Sequence, residues 1–136
     1  MAEVERPIVL DTDVVSLTMR GQLDVDAAGL YGRTWCVSFV TVGELVQGAA
    51  AADWGLRRWT RIADWLRDVV VLPYDFNVAT TWGLMSGSAK RRGHPRPVND
   101  TWTAAVCLVN DLPLATRNVK DFEPYVHHNG LVLAPV

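Results

Sequence analysis

Only two of the 136 residues are cysteine, Cys36 and Cys107. Both lie within apolar runs, Trp35-Cys36-Val37 and Val106-Cys107-Leu108, a setting for buried thiols in a reducing compartment rather than for a disulfide or a metal site. Long hydrophobic runs are missing too. The longest apolar stretches cover residues 34–43 and 76–89, short of the roughly 20 residues of a membrane span. Glu3 and Glu5 stand where a secretory signal would carry basic residues ahead of an apolar core, so a cytoplasmic protein is expected. With no repeat, linker-like stretch or charge block, residues 1–136 are expected to make one domain. An excess of positive charge is also lacking. Thirteen Lys and Arg face fifteen Asp and Glu, for a net charge of −2, so the chain as a whole does not attract nucleic acid and an anionic ligand needs local help.

What is present is an alternation of short apolar runs and helical stretches. Pro7-Ile8-Val9-Leu10 ends at Asp11-Thr12-Asp13 and feeds a helix over residues 14 to about 20, stopped by Gly21. Trp35-Cys36-Val37-Ser38-Phe39 is rich in strand formers, and Thr41 then opens a helix through the alanines at 49–52. Asp53 begins a third helix, 54 to about 69, followed by the strand Val70-Val71-Leu72. Asp75 can cap a long helix, 76 to about 92, and Asn99-Asp100 opens one ending near Asn110. Leu114-Ala115-Thr116 and Leu131-Val132-Leu133 complete five strands. Such alternation predicts an α/β fold with a mainly parallel five-stranded sheet flanked by helices.

Chemistry in open parallel sheets collects beyond the carboxyl ends of the strands. Four segments deliver acids there: Asp11 after the first strand, Glu44 past the second, Asp100 at the head of a late helix and Asp121 after the fourth strand. Carboxylates brought together repel one another unless cations neutralise them, and Mg²⁺ or Mn²⁺ prefers such oxygen ligands. Each acid also has a structural explanation. Asp11 or Asp13 can cap the helix that follows. Thr41-x-x-Glu44 has the spacing of a capping box, in which the glutamate accepts from the cap residue's own N–H. Asp100 can be a helix cap and Asp121 a solvated loop acid.

The combination narrows the choice. Leu10-Asp11-Thr12-Asp13-Val14-Val15-Ser16 resembles the opening of PIN domains, especially the VapC toxin ribonucleases. Ser38-Phe39-Val40-Thr41-Val42-Gly43-Glu44-Leu45 is similar to their second motif, and Pro97-Val98-Asn99-Asp100-Thr101-Trp102-Thr103-Ala104-Ala105 to their third. Leu114-Ala115-Thr116-Arg117-Asn118-Val119-Lys120-Asp121-Phe122 is similar to their fourth. The chain departs from the pattern at Asp13, usually Asn or Ser there, and at Thr101-Trp102-Thr103, usually more aliphatic. The resemblance implies a Mg²⁺- or Mn²⁺-dependent endoribonuclease, the toxin of a toxin–antitoxin pair, cutting tRNA, rRNA or mRNA to inhibit translation and growth. It also implies an antitoxin partner and a homodimer. Asp11, Glu44, Asp100 and Asp121 are then the catalytic and metal-holding acids, with Thr12, Asp13 and Asn118 orienting water or metal; Asn118 competes with Asp121 for the fourth position.

Lys90, Arg91, Arg92 and Arg96 place four basic residues in seven just ahead of Asp100, where they could hold phosphates; cations at a helix end also suit its dipole. Arg57, Arg58 and Arg61 read as a solvated face, and His94, His127 and His128 as surface residues in loops. On the 54–69 helix, Leu56, Trp59, Ile62, Ala63 and Leu66 form one apolar stripe expected to face the core. Trp54 and Trp65 fall on another face, either as a partner surface or packed on the preceding helix. Two rival readings stay open. Asp11-x-Asp13 can open a haloacid-dehalogenase-like phosphatase, although Lys90 and Lys120 are the only lysines and no later acid pair follows. A catalytically silent binding module is the other.

Overall fold

The computed structural model describes residues 6–52 and 55–136. Five parallel strands, β1 (Ile8–Leu10), β2 (Trp35–Ser38), β3 (Val70–Leu72), β4 (Leu114–Thr116) and β5 (Leu133–Pro135), lie in the order β3-β2-β1-β4-β5. Between them run α1 (Thr12–Met19), α2 (Phe39–Ala51), α3 (Leu56–Arg67), α4 (Phe76–Arg91), α5 (Val98–Val109) and α6 (Val119–Asn129). The mainly parallel α/β sheet expected from the sequence is what forms.

Side chains alternate across a strand, and that alternation sorts the core into two layers. Val9, Cys36 and Leu114 point to one face, where they meet Val78 and Met85 of α4, Ala104 to Cys107 of α5, and Phe122 and Tyr125 of α6. Ile8, Leu10, Val37 and Ala115 point to the other and pack with Val14 and Val15 of α1 and with Leu30. Both cysteines are free and buried, as their apolar settings require. The edge strand β5 tolerates Pro135 because an edge leaves one row of N–H groups unpaired.

Several boundaries differ from the sequence reading. The first helix begins at Thr12 rather than at 14, directly after its cap Asp11. The second helix opens at Phe39, not Thr41, because the Ser38 hydroxyl caps it by accepting from the Thr41 N–H at 3.3 Å. The fifth strand lies at 133–135, while Leu131 is buried in the turn before it. An unanticipated helix, α6, occupies the segment read as a loop, so Asp121, His127 and His128 are helical. Pro124 suggests a break, yet its missing N–H leaves only one carbonyl of the exposed first turn without a helical donor. Gly130 closes α6 at φ 78°, a left-handed conformation that glycine adopts without a Cβ clash.

The third helix corrects the stripe. Of the five residues assigned to the core, Ile62 is buried and Leu66 half-buried, whereas Leu56 is 82% exposed and Trp59 and Ala63 are also exposed. Trp65, placed off that stripe, stacks on Trp35 of β2 with centroids 6.3 Å apart and joins the second core layer. Ile62, Trp65 and Leu66 therefore form the covered face of α3, with Trp65 against the indole of β2. Asp53 and Trp54, assigned to the start of this helix, lie outside the described residues. Trp65→Gln is therefore expected to destabilise the protein by about 2 kcal/mol, roughly half the cost of emptying a fully buried tryptophan site. Urea denaturation measures it, and an unchanged midpoint would place Trp65 outside the core.

Candidate active site

β1 is the central strand, and the chain leaves it toward β2 on one side while β4 pairs on the other. This is the switch point at which a crevice opens beyond the carboxyl ends. Asp11 stands there as the cap of α1, half-buried. One carboxylate oxygen, Oδ1, accepts the Thr12 N–H at 2.9 Å, and Oδ2 accepts the hydroxyl of Thr116, the last residue of β4, also at 2.9 Å. Asp13, one turn position on, accepts the Val14 N–H through Oδ1 and the Asn118 amide through Oδ2 at 3.1 Å. Burial, with the Asp13 charge added to it, pushes the Asp11 carboxyl up to about 7, against the opposing hydrogen bonds from Thr116 and Thr12.

Glu44 is not the capping-box residue that its spacing allows. Thr41 lies inside α2 and Ser38 is the cap. The Glu44 carboxylate turns toward the strand ends instead. Its Oε1 accepts the Thr12 hydroxyl at 2.7 Å, itself 2.9 Å from the Thr41 hydroxyl, and its Oε2 accepts the Asn99 amide at 3.5 Å. Thr12 thus ties the first acid's helix to the second acid. Asp100, in the first turn of α5, is raised above the ordinary carboxylate range by burial and by the charges of Asp121 and Glu44, with Arg96 pulling it down. Asp11, Glu44, Asp100 and Asp121 are therefore gathered at one edge, and among the described residues none of the four is in an ion pair with a basic side chain.

Among the described residues, no three His, Cys, Asp or Glu side chains converge as a ready-formed metal cage. The donor set is nonetheless that of a hard divalent cation: carboxylate oxygens from four segments, two of them strained toward protonation by their surroundings. Asn118 is turned toward Asp13, and Asp121 acts electrostatically on Asp100. Of the four basic residues ahead of Asp100, Arg96 reaches the site, donating from Nη2 to the Asp121 carbonyl at 3.2 Å. Lys90 and Arg91 end α4, exposed, and Arg92 caps it. Desolvation and then the charges of Arg92, His127 and His94 lower the basicity of His128, which puts Arg92 with the exposed histidines.

Two contributors went unread in the sequence. Thr116 holds Asp11, and its signal was a hydroxyl ending an otherwise apolar strand beside β1. Asn99 holds Glu44, and its signal was only adjacency to Asp100.

The fold and the site together define a small α/β domain with a parallel sheet and an acid-lined crevice at its carboxyl edge. The chain belongs to the PIN domain family, whose model matches residues 8–124. It is 32% identical over 112 residues to Ribonuclease VapC5 of Mycobacterium tuberculosis, covering 81% of this chain and 82% of that one. It is 27% identical over 117 residues to the tRNA(fMet)-specific endonuclease VapC of Shigella flexneri, covering 85% and 89%. The solved structure of VapBC-1 from nontypeable Haemophilus influenzae superposes with a TM-score of 0.79 at 25% identity, covering 93% and 96%. The family match displaces the phosphatase reading, and the bonds on both Asp13 oxygens explain why that residue need not be a free acid.

The raised Asp11 has a measurable consequence. Its folded-state value lies above the ordinary 3.8, so between 3.8 and about 7 the unfolded chain has released a proton that the folded chain still holds. Stability of the cation-free protein is accordingly expected to fall as pH climbs through that window, and Asp11→Asn to flatten the profile. Thermal melts in chelator from pH 4.5 to 8 check this; a wild type that gains stability across the window contradicts it.

Proposed function

We propose that the protein is a Mg²⁺- or Mn²⁺-dependent endoribonuclease acting in the cytoplasm as the toxin of a toxin–antitoxin pair, cutting tRNA, rRNA or mRNA and so blocking translation and growth. The observation that carries the reading is the gathering of Asp11, Glu44, Asp100 and Asp121 at one sheet edge without basic ion-pair partners among the described residues. The names of its relatives as ribonucleases and an endonuclease support the same reading.

In this account the four acids hold the cation. When bound, a divalent cation lowers the pKa of water and offsets charge on the phosphate. The chain supplies the rest. Thr116 and Thr12 fix the two Asp11 oxygens, and Thr12 and Asn99 fix those of Glu44, so the carboxylates need little reorganisation. Asp121 is the charged fourth contributor, because an anionic oxygen suits a hard cation better than an amide. Asn118 and Asp13 orient the water beside it. Arg96, with Lys90, Arg91 and Arg92 beyond it, receives the RNA phosphates.

An antitoxin fits the apolar side of α3. Leu56 and Trp59 of α3 are exposed, and the same helix lends Arg58, Arg61 and Ile62 to a groove of about 310 Å³ lined also by Met19 and Leu45. A similar structure, VapBC-5 from Mycobacterium tuberculosis, is described as a member of the VapBC family of toxin-antitoxin systems. A homodimer is the assembly proposed with it.

The test is RNA cleavage with Mn²⁺. Wild type is expected to shorten RNA, to stop in chelator and to leave p-nitrophenyl phosphate intact. Asp11→Asn and Asp100→Asn are each expected to lose more than the roughly 10–100-fold typical of disturbing a metal ligand's outer partner. Glu44→Gln keeps an oxygen for Thr12, so its stability should stay within about 0.5 kcal/mol while activity falls comparably. A wild type that binds no Mn²⁺ and cuts no RNA would instead be a silent binding module.

A further inference from the structure

Trp102 departs from the aliphatic pattern of the third motif, and the structure gives it company. Phe39 opens α2 directly after β2, Tyr74 lies two residues past the end of β3, and Trp102 lies two residues beyond Asp100 on α5. Their rings meet edge to face: Phe39 with Trp102 at 5.6 Å, Phe39 with Tyr74 at 6.1 Å and Tyr74 with Trp102 at 6.4 Å. Trp82 of α4 stacks on Trp102 at 4.8 Å and 12°. Phe39, Trp82 and Trp102 are half-buried, but Tyr74 is 62% exposed.

Three features point to what meets that ring. It stands at the carboxyl edge of the sheet, the edge that carries the acids. β3 is two strands from β1, so at the usual interstrand spacing Tyr74 lies on the order of 10 Å along the edge from Asp11, within reach of a strand crossing the acids. The chain also carries a net charge of −2, so phosphate attraction alone does not hold RNA against an acidic site. Stacking on a nucleobase supplies affinity that does not depend on charge, and it accepts any base because every base has a π-face.

We infer that Tyr74, held by Phe39 and Trp102, is a stacking platform for an unpaired nucleobase of the RNA strand lying across the acids. The inference rests on the nuclease reading and deepens it. A base inside a duplex cannot reach the ring, so the platform directs cleavage to loops and single strands. Because stacking releases few counterions, this part of the affinity persists as salt is raised, unlike the contribution of Arg96 and its basic neighbours.

Binding of a labelled, unpaired RNA oligonucleotide by fluorescence anisotropy tests it, in an Asp100→Asn background so that no strand is cut. A ribose-phosphate strand of equal length without bases is the second probe. Tyr74→Ser is expected to weaken the base-bearing strand between about fivefold and about a hundredfold, with Tyr74→Phe unchanged and the baseless strand indifferent to either. Tyr74→Leu, which keeps an apolar contact without a π-face, is expected to match Ser and replaces it if the Ser variant melts early. Equal affinity in Tyr74→Ser, equal loss with both strands, or no preference of the parent for bases overturns the platform; the first outcome would assign this patch to a protein partner instead. Mn²⁺-dependent cutting by wild type is measured alongside. Cutting that ignores Tyr74 removes the platform alone, whereas base-dependent binding without cutting leaves the platform and removes the nuclease reading.

Discussion

A carboxylate at the end of the innermost strand is the constraint around which the site is arranged. β1 is buried along its whole length, and Asp11 must place its charge at the strand's mouth, partly out of water and beside Asp13. The two hydrogen bonds to the ionised form oppose that desolvation but do not offset it, so the Asp11 carboxyl stays raised. Neighbouring elements answer the same demand. β4 ends in Thr116 to reach one oxygen, and α1 begins at Thr12 so that an N–H reaches the other while its hydroxyl steadies Glu44. A fold selected for stability alone has no need of acids on α2, α5 and α6 aimed at this edge. Their mutual repulsion is the reason a cation is proposed there.

The scaffold allows this because the rest of the sheet is well anchored. The apolar residues of β1, β2 and β4 divide between two layers that helices cover, while Val70 and Val71 of the edge strand β3 stay exposed. The carboxyl edge can then carry both unfavourable charge and an aromatic cluster. The two neighbourhoods touch through α5, whose first turn holds Asp100 and whose next residues bring Trp102 against Phe39. Arg96 lies at the Asp121 end of this edge and Tyr74 just past the end of β3.

Much of this was legible in the chain. Short apolar runs ending in Asp11, Ser38, Leu72 and Thr116 gave the strands, and their carboxyl ends located the acids. What misled was local chemistry with two uses. Thr41-x-x-Glu44 satisfies a capping pattern, but a serine three residues upstream competes for the helix start and wins. The segment of α6 reads as a loop around Asp121, His127 and His128, although Phe122 and Tyr125 at helical spacing, with Gly130 beyond, mark the helix. In α3 the periodicity was present, but which stripe turns inward depends on Trp35, a residue from another strand. Pairings across the fold, such as Thr116 with Asp11 or Tyr74 with Trp102, have no local signature at all.

Thermal unfolding at pH 8, in chelator and then in Mn²⁺ well above its dissociation constant, tests most directly whether the acids form a site made for a cation. Wild type is predicted to gain roughly 5–10 °C on adding Mn²⁺, the shift expected from ligand linkage in a domain of this size. Asp11→Asn, relieved of its buried charge, is predicted to start higher in chelator and gain little. A wild type that melts at one temperature in both conditions, with Asp11→Asn melting lower, would contradict the account.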